Sequence, residues 1–318
     1  MGTPFLVRKA TLAPGASSRP RMNPVDVYLA RLGSGSRRGM NEALGTIATF
    51  LSGGTVGPNE TDWASIRYHD TFAVRGWLVN KYAPNTAKRM LAALRGVLKE
   101  CWRLGMIPYE EFAKASDIAP VHGESEPSGR ALGDEELGKL FDACHTDATP
   151  AGIRDGAILG LLYGLGLRRA ELVALDFNDY NREQGIVAVH GKGNKPRLGY
   201  AMERVKTLLD AWLQIRGDWG GPMFCPINKG GVISQGRFTP QGLALVVKKR
   251  ATGANVETFS CHDLRRSFIT HLLSSGADIS TVQRLAGHRQ VTTTVLYDRR
   301  GEDAKVQAAK LLAIPNRR

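Results

Sequence analysis

The sequence predicts a mainly α-helical chain in two domains, the second carrying one small antiparallel β-sheet. Three observations predict this. Apolar residues recur at helical spacing from Asn23 to about residue 116, and again from residue 131 onward. Between those spans, DIAPVHGESEPSGR (117–130) breaks the periodicity with Pro, Gly, Ser and Glu, the composition of a linker. Within the second span, the β-branched run GIVAVH (185–190), the turn GKGNK (191–195) and the return PRLGYAM (196–202) read as a hairpin. At 318 residues the chain is long enough for two cores.

Residues 1–22 carry no periodicity and read as a flexible basic tail. VDVYLARL (25–32) and MNEALGTIATFL (40–51) are helical, with GSGSRRG between them expected as a turn bearing Arg37 and Arg38. WASIRYHDTFAVRGWLVNKY (63–82) follows. NTAKRMLAALRGVLKECWRLG (85–105) then places Met90, Leu91, Leu94, Val97, Leu98 and Cys101 on one stripe. Lys88, Arg95 and Lys99 fall mainly on its other faces. Asn85 or Thr86 is expected to cap its start and Gly105 its end. After the linker come helices at 134–144 and 153–164, the second apolar over a wide face and so buried. ERVKTLLDAWLQIR (203–216) and TPQGLALVVKKR (239–250) are further helices. Residues 261–313 are nearly all helical, turning at Gly276 and Gly287.

The net charge is +13 and the sequence pI about 9.8. Positive charge lies in both halves, so both can face a polyanion, and nucleic acid is the expected partner. No apolar run is long enough to span a bilayer, and the N-terminus lacks the apolar core of a signal peptide. The four cysteines are scattered with no C-x-x-C pair, which suits a reducing compartment and suggests neither a zinc site nor a disulfide framework. Cys261 beside His262 is a weak hint of a thiol nucleophile.

A more specific constellation lies in the second half. GLGLRRAELVALD (164–176) sets Arg168 and Arg169 after a Gly-rich bend, with Glu171 one turn on from Arg168. The hairpin tip offers Lys192 and Lys195. CHDLRRSFITHLL (261–273) puts His262 and Arg265 on one helix face. LAGHRQVTTTVLY (285–297) spaces Tyr297 nine residues after His288. Taken singly, each is ordinary: a surface arginine, a solvated lysine, a core tyrosine. Together they suit attack on a phosphodiester. Arginines stabilise the charge that builds on phosphate oxygens as phosphorus becomes five-coordinate. A tyrosine, with an ordinary pKa near ~10, needs a histidine to steer or take its proton. Its phosphate ester conserves bond energy, which favours transfer or rejoining over hydrolysis.

GLRRAEL, GKGNK, H-D-L-R, LAGH and the step to Tyr297 resemble the signature of the tyrosine recombinases, or phage integrases, whose relatives include the Xer-type resolvases. The resemblance covers about residues 131–313, and residues 23–115 more loosely. It implies a two-domain DNA clamp: a helical, SAM-like core-binding domain at 23–116, the linker at 117–130, and a catalytic domain with a C-terminal helix at 131–318. It implies Tyr297 as nucleophile forming a 3′-phosphotyrosyl link, Arg168 and Arg265 clamping the phosphate, and Lys192 as general acid. His262 would be base or phosphate donor, His288 would hydrogen-bond the phosphate, and Glu171 would orient neighbours. Arg37, Arg38, Lys88, Arg95, Lys99 and Lys195 are the expected DNA contacts. No cofactor or metal is expected. The partners implied are double-stranded recombination sites held by a homotetramer on two duplexes, with accessory DNA-bending proteins as further candidates and no membrane. The expected location is the cytoplasm, on the nucleoid.

Three departures stand out. Tyr297 is followed by DRR where several relatives have Thr-His. Arg169 replaces a commonly apolar residue, leaving Arg168 and Arg169 both open as the clamp, though the register of GLR-x-x-E-L favours Arg168. Pro196 stiffens the hairpin. Two other functions fit parts of the pattern: relaxation of supercoils by a type IB topoisomerase-like mechanism, and non-catalytic DNA binding on the same fold.

Overall fold

The computed structural model describes residues 22–54, 56–123, 129–191, 196–298, 306 and 309. It divides into two compact units, Met1–Glu126 and Pro127–Arg318. The expected tip lysines, Lys192 and Lys195, and most of the expected C-terminal helix lie outside the described residues.

The first unit contains α1 (Pro24–Ala30), α2 (Ser34–Ser52), α3 (Tyr68–Lys81), α4 (Pro84–Arg103) and α5 (Tyr109–Ser116). α4 is its axis. The stripe from Met90 to Cys101 is buried against Val25, Leu44, Ile47, Val74 and Leu78. Each large apolar side chain so buried contributes roughly 1.5–3 kcal/mol. The helix begins one residue before the expected caps, with Pro84 in the first position and Ala83 at its cap, because proline's missing N–H costs nothing there.

Two expectations fail here. GSGSRRG is not a turn; it is the first part of α2. Arg37 caps the preceding helix instead, donating to the carbonyls of Ala30 and Leu32, groups that a helix end leaves unsatisfied. Nor is 117–130 all linker, since Ile118 and Val121 are buried in the first core. Arg95 donates to the carbonyls of Ser116 and Ile118, Arg75 to those of Ala119 and Pro120, and Lys88 to that of Gly123. The division after Glu126 falls inside the expected linker.

The second unit runs α6 (Asp134–His145), α7 (Pro150–Gly164), α8 (Arg169–Ala174), β1 (Tyr180–Asn181), β2 (Ile186–His190), β3 (Pro196–Tyr200), α9 (Glu203–Arg216), α10 (Pro240–Gly253), α11 (Cys261–Ser274), α12 (Ile279–Ala286) and α13 (Val291–Val295). The sheet is antiparallel in the order β1-β2-β3, and the two-residue β1 adds a strand beyond the hairpin that the sequence predicts. Val187 and Val189 of β2 are buried and pair with Gly199 and Arg197 of β3. α7 is buried as expected, with Ile158, Leu159, Leu161 and Leu162 in the core of this unit. The same helix also buries an ionic knot. Asp155 accepts from Arg154 at 2.9 and 2.7 Å and from Arg250 of α10 at 2.8 Å. Arg250 also pairs with Asp147, and Arg154 donates to the Cys225 carbonyl. A smaller cluster of Phe268, Ile269, Leu273, Val282, Ala286 and Tyr297 joins α11 to α12 and to the stretch just past α13.

Removing the carboxylate at the centre of that knot leaves two buried cations without it. Asp155→Ala is expected to destabilise the second unit by about 3–5 kcal/mol, read as a lowered midpoint for its transition in urea unfolding. An unchanged midpoint would show that the knot contributes no net stability.

Candidate active site

The site is assembled around Arg265, on the inward face of α11 and only 1% exposed. Its two terminal nitrogens donate to the carbonyls of Gly166 and Ala286. Gly166 lies in the bend before Arg168, and Ala286 ends α12 just before His288. One buried guanidinium therefore joins three separated motifs. The bend demands glycine: Gly166 has φ +58°, and a Cβ there would meet the Phe268 ring at 2.3 Å. Gly287 is the left-handed cap of α12 at φ +66°, and a Cβ there would lie 2.7 Å from Arg197 Cδ.

Arg168 stands at the N-cap of α8. Its main-chain N–H donates to Glu171 Oε2 at 2.9 Å, its Nη1 to Oε1 at 2.6 Å, and its Nη2 to the Gly287 carbonyl at 3.1 Å. Arg197 of β3 also donates to Glu171 Oε2, at 3.0 Å. Burial alone would raise the Glu171 carboxyl, but the Arg168 amide and the two guanidinium groups reverse this and hold it below its ordinary value. Burial and the neighbouring Arg168 press the Arg265 pKa downward. Three guanidinium groups thus gather around one carboxylate, and the excess positive charge suits an anionic ligand.

The tyrosine lies beside this cluster. Tyr297 Oη is 3.1 Å from His262 Nε2. Its ring stacks on His288 at 5.9 Å between centroids, and Arg266 lies 5.3 Å over it. Its buried body belongs to the satellite core, so it is a core residue with a polar tip aimed at a base. His262 is held below the ordinary imidazole pKa by burial, then by Arg265 and Arg266. His288 is pushed down to about 4 by burial, then by Arg265 and Arg168. Both are therefore neutral near pH 7. A neutral His262 is able to accept the phenol proton at hydrogen-bond distance.

The described residues thus bring Arg168, Glu171, His262, Arg265, His288 and Tyr297 together, while Lys192 lies outside them. Cys261 is buried and its thiol is pushed up to about 11, the opposite of an activated nucleophile. Among the described residues no group of three or more His, Cys, Asp or Glu is placed to hold a metal ion. In the first unit, Arg37, Lys88 and Arg95 bond main-chain carbonyls, Arg38 pairs with Glu42, and Lys99 is exposed.

Two residues of the cluster escaped sequence reasoning. Arg197 sits opposite buried Val189, and a cation on the core-facing side of a strand was the available signal. Thr294, fully buried, bonds His288 Nδ1 at 2.9 Å. Nothing in the run Thr292-Thr293-Thr294 distinguishes it from its neighbours.

A family model described as the phage integrase family matches residues 130–302. The chain belongs to the phage integrase family. Similar members include a tyrosine recombinase XerD of Pseudomonas aeruginosa, 34% identical over 222 residues, covering 68% of this chain and 71% of that one. A tyrosine recombinase XerC of Alcanivorax borkumensis is 30% identical over 293 residues, covering 89% and 91%. Among solved structures, a XerH site-specific recombinase bound to a palindromic difH substrate has a TM-score of 0.63 at 20% identity, covering 86% of this chain and 76% of that one. A lambda integrase dimer bound to a core site has a TM-score of 0.64 at 14% identity, covering 87% and 95%. The mainly helical fold with its small antiparallel sheet is that of the family.

The two depressed histidines carry a pH signature. Each is neutral in the folded protein and takes up a proton on unfolding below about pH 6.5, its ordinary pKa. Their stabilising contribution is thus complete above that pH and declines as pH falls below it; for His288 the loss continues until about pH 4, where the ring protonates in the fold. Imidazole NMR titration is expected to find His288 neutral until close to that value. Titration of His288 near its ordinary pKa would contradict the buried, arginine-ringed site.

Proposed function

We propose that this phage integrase family member is a site-specific DNA recombinase that cuts and rejoins strands through a 3′-phosphotyrosyl intermediate. The observation that carries this reading is the 3.1 Å contact between Tyr297 Oη and a neutral His262, beside arginines with one carboxylate among them.

In the proposed step, Tyr297 Oη forms a bond to the scissile phosphorus while its proton passes to His262. The bond from phosphorus to the 5′ oxygen breaks, and that oxygen leaves as a hydroxyl with a proton from Lys192. Arg168 and Arg265 stabilise the charge gathered on the non-bridging oxygens, with His288 donating to one of them. Attack by a 5′ hydroxyl of another strand reverses the step and releases Tyr297. Glu171 keeps Arg168 in place and offers no chemistry of its own.

The first unit and the second, joined near Glu126, both bind the duplex in this reading. Of the expected contacts in the first unit, Lys99 is exposed, while Arg37, Arg38, Lys88 and Arg95 act with part of their donor capacity already used within the protein. Lys195 would contact DNA from the hairpin. Four protomers acting on two duplexes would exchange strands, with DNA-bending proteins as accessories, on the nucleoid.

The test is a nicked suicide substrate built on DNA recovered covalently bound to the protein. The wild-type chain is expected to form a stable adduct, and Tyr297→Phe none. Arg168→Ala and Arg265→Ala are expected to slow adduct formation by about 10²–10³-fold, as for loss of a transition-state donor. Duplex affinity should change far less, because phosphate contacts elsewhere supply most of it. An adduct persisting in Tyr297→Phe would overturn the assignment, as would parallel loss of binding and cleavage in the arginine variants.

A further inference from the structure

A buried hydroxyl next to the site has no part in the chemistry above. Thr294 lies in α13, is 0% exposed, and places Oγ1 2.9 Å from His288 Nδ1. Its carbonyl accepts from the Tyr297 main-chain N–H at 3.0 Å. One residue therefore holds the His288 ring through its side chain and the Tyr297 backbone through its main chain. The backbone of His288 is separately fixed: its N–H donates to the Gln283 carbonyl, and its own carbonyl accepts from Gln283 Nε2, each at 3.1 Å. With the main chain pinned by Gln283 and Nδ1 engaged by Thr294, Nε2 is the ring's remaining polar atom.

A neutral imidazole carries one proton, and its partner at one nitrogen decides which nitrogen holds it. Were the proton on Nδ1, Nε2 would present a lone pair, and a phosphate oxygen would be repelled. A threonine hydroxyl can donate as well as accept, so it permits the other arrangement.

We propose that Thr294 is a positioning residue whose hydroxyl donates to His288 Nδ1, placing the ring's single proton on Nε2 as a donor to the scissile phosphate. This rests on the reading of His288 as a phosphate donor. Valine at this position keeps the shape and loses the donor, leaving Nδ1 a buried acceptor with nothing to accept. Serine keeps the donor.

The tautomer is measured first, on the full-length wild-type protein labelled with nitrogen-15 histidine, by long-range proton–nitrogen spectra at pH 7. His288→Ala identifies the signals. The proton is expected on Nε2, and a proton on Nδ1 overturns the proposal without any Thr294 variant having to fold. Adduct formation on the suicide substrate is measured next. Thr294→Val is expected to cleave about 10²-fold more slowly, the lower range for losing a positioned acid–base group, with duplex binding retained. Thr294→Ser should recover most of the rate. The double variant Thr294→Val/His288→Ala should be no slower than His288→Ala, since both changes remove one donor. Losses that multiply, or a Thr294→Val protein that cleaves normally, overturn the proposal. A wild-type rate in His288→Ala overturns the underlying phosphate role instead. That result is distinct from failure at Thr294, where His288→Ala is slow and the proton sits on the wrong nitrogen.

Discussion

The site depends on a single buried cation. Arg265 is out of water, yet its terminal nitrogens reach main-chain carbonyls rather than a carboxylate. Carbonyl dipoles satisfy its geometry but do not cancel its charge, and the nearby Glu171 carboxylate is shared with Arg168 and Arg197, so the buried charge is only partly compensated, at a cost to stability. Its Nε is buried with no hydrogen-bond partner among the described residues. Such an arrangement is unfavourable for stability alone. It is sensible where a mobile anion completes it, because the protein then holds its donors ready and needs no reorganisation when charge develops. The same two carbonyls bring the Gly166 bend and the end of α12 to one place. Arg168 and His288 are held close by that link together with the direct bond from Arg168 to the Gly287 carbonyl.

Glu171 sets the limit on how positive the cluster becomes. It accepts from Arg168 and Arg197, fixing both, and its own charge is held by the same contacts. A second carboxylate would neutralise the surplus that an anion is meant to meet. Without the first, two arginines would repel each other from a shared position. The histidines follow from this field. Burial first, and then the neighbouring guanidinium groups, disfavour a cationic imidazole, so both rings remain neutral and can act as acceptor or single donor, each according to its hydrogen-bond partner.

Much of this is legible in the sequence, and the reason is local. Arg168 and Glu171 are one helical turn apart, as are His262 and Arg265, so spacing alone puts each pair on one face. Gly287 marks the end of a helix, and the nine-residue step places Tyr297 beyond a turn. What is not legible depends on partners distant in sequence. Arg37 looks like a turn residue because its role is to satisfy carbonyls of the preceding helix. Lys88 and Arg95 look like surface charge, yet they tether residues 116–123, and Ile118 and Val121 within that stretch are core residues despite the surrounding Pro and Gly. A positive charge on a helix face says nothing by itself about whether phosphate, carbonyl or water receives it. Arg197 and Thr294 become meaningful only once the strand register and the fold of α13 are known.

Tyr297 shows why a core position and the proposed reactive role need not compete. It belongs to the buried cluster with Phe268, Ile269 and Val282, its ring stacks on His288, and its phenol oxygen lies at hydrogen-bond distance from His262. That packing is a small cluster apart from the main core of the second unit, and the preceding helix has only five residues. An element with so few backbone hydrogen bonds and so little buried apolar surface sits at the low end of local stability. The Tyr297 hydroxyl is therefore aimed by side-chain packing and by hydrogen bonds to Thr294 and His262 rather than by a long helix. The same modest set of contacts sets the aim of the hydroxyl that the proposed strand cleavage uses.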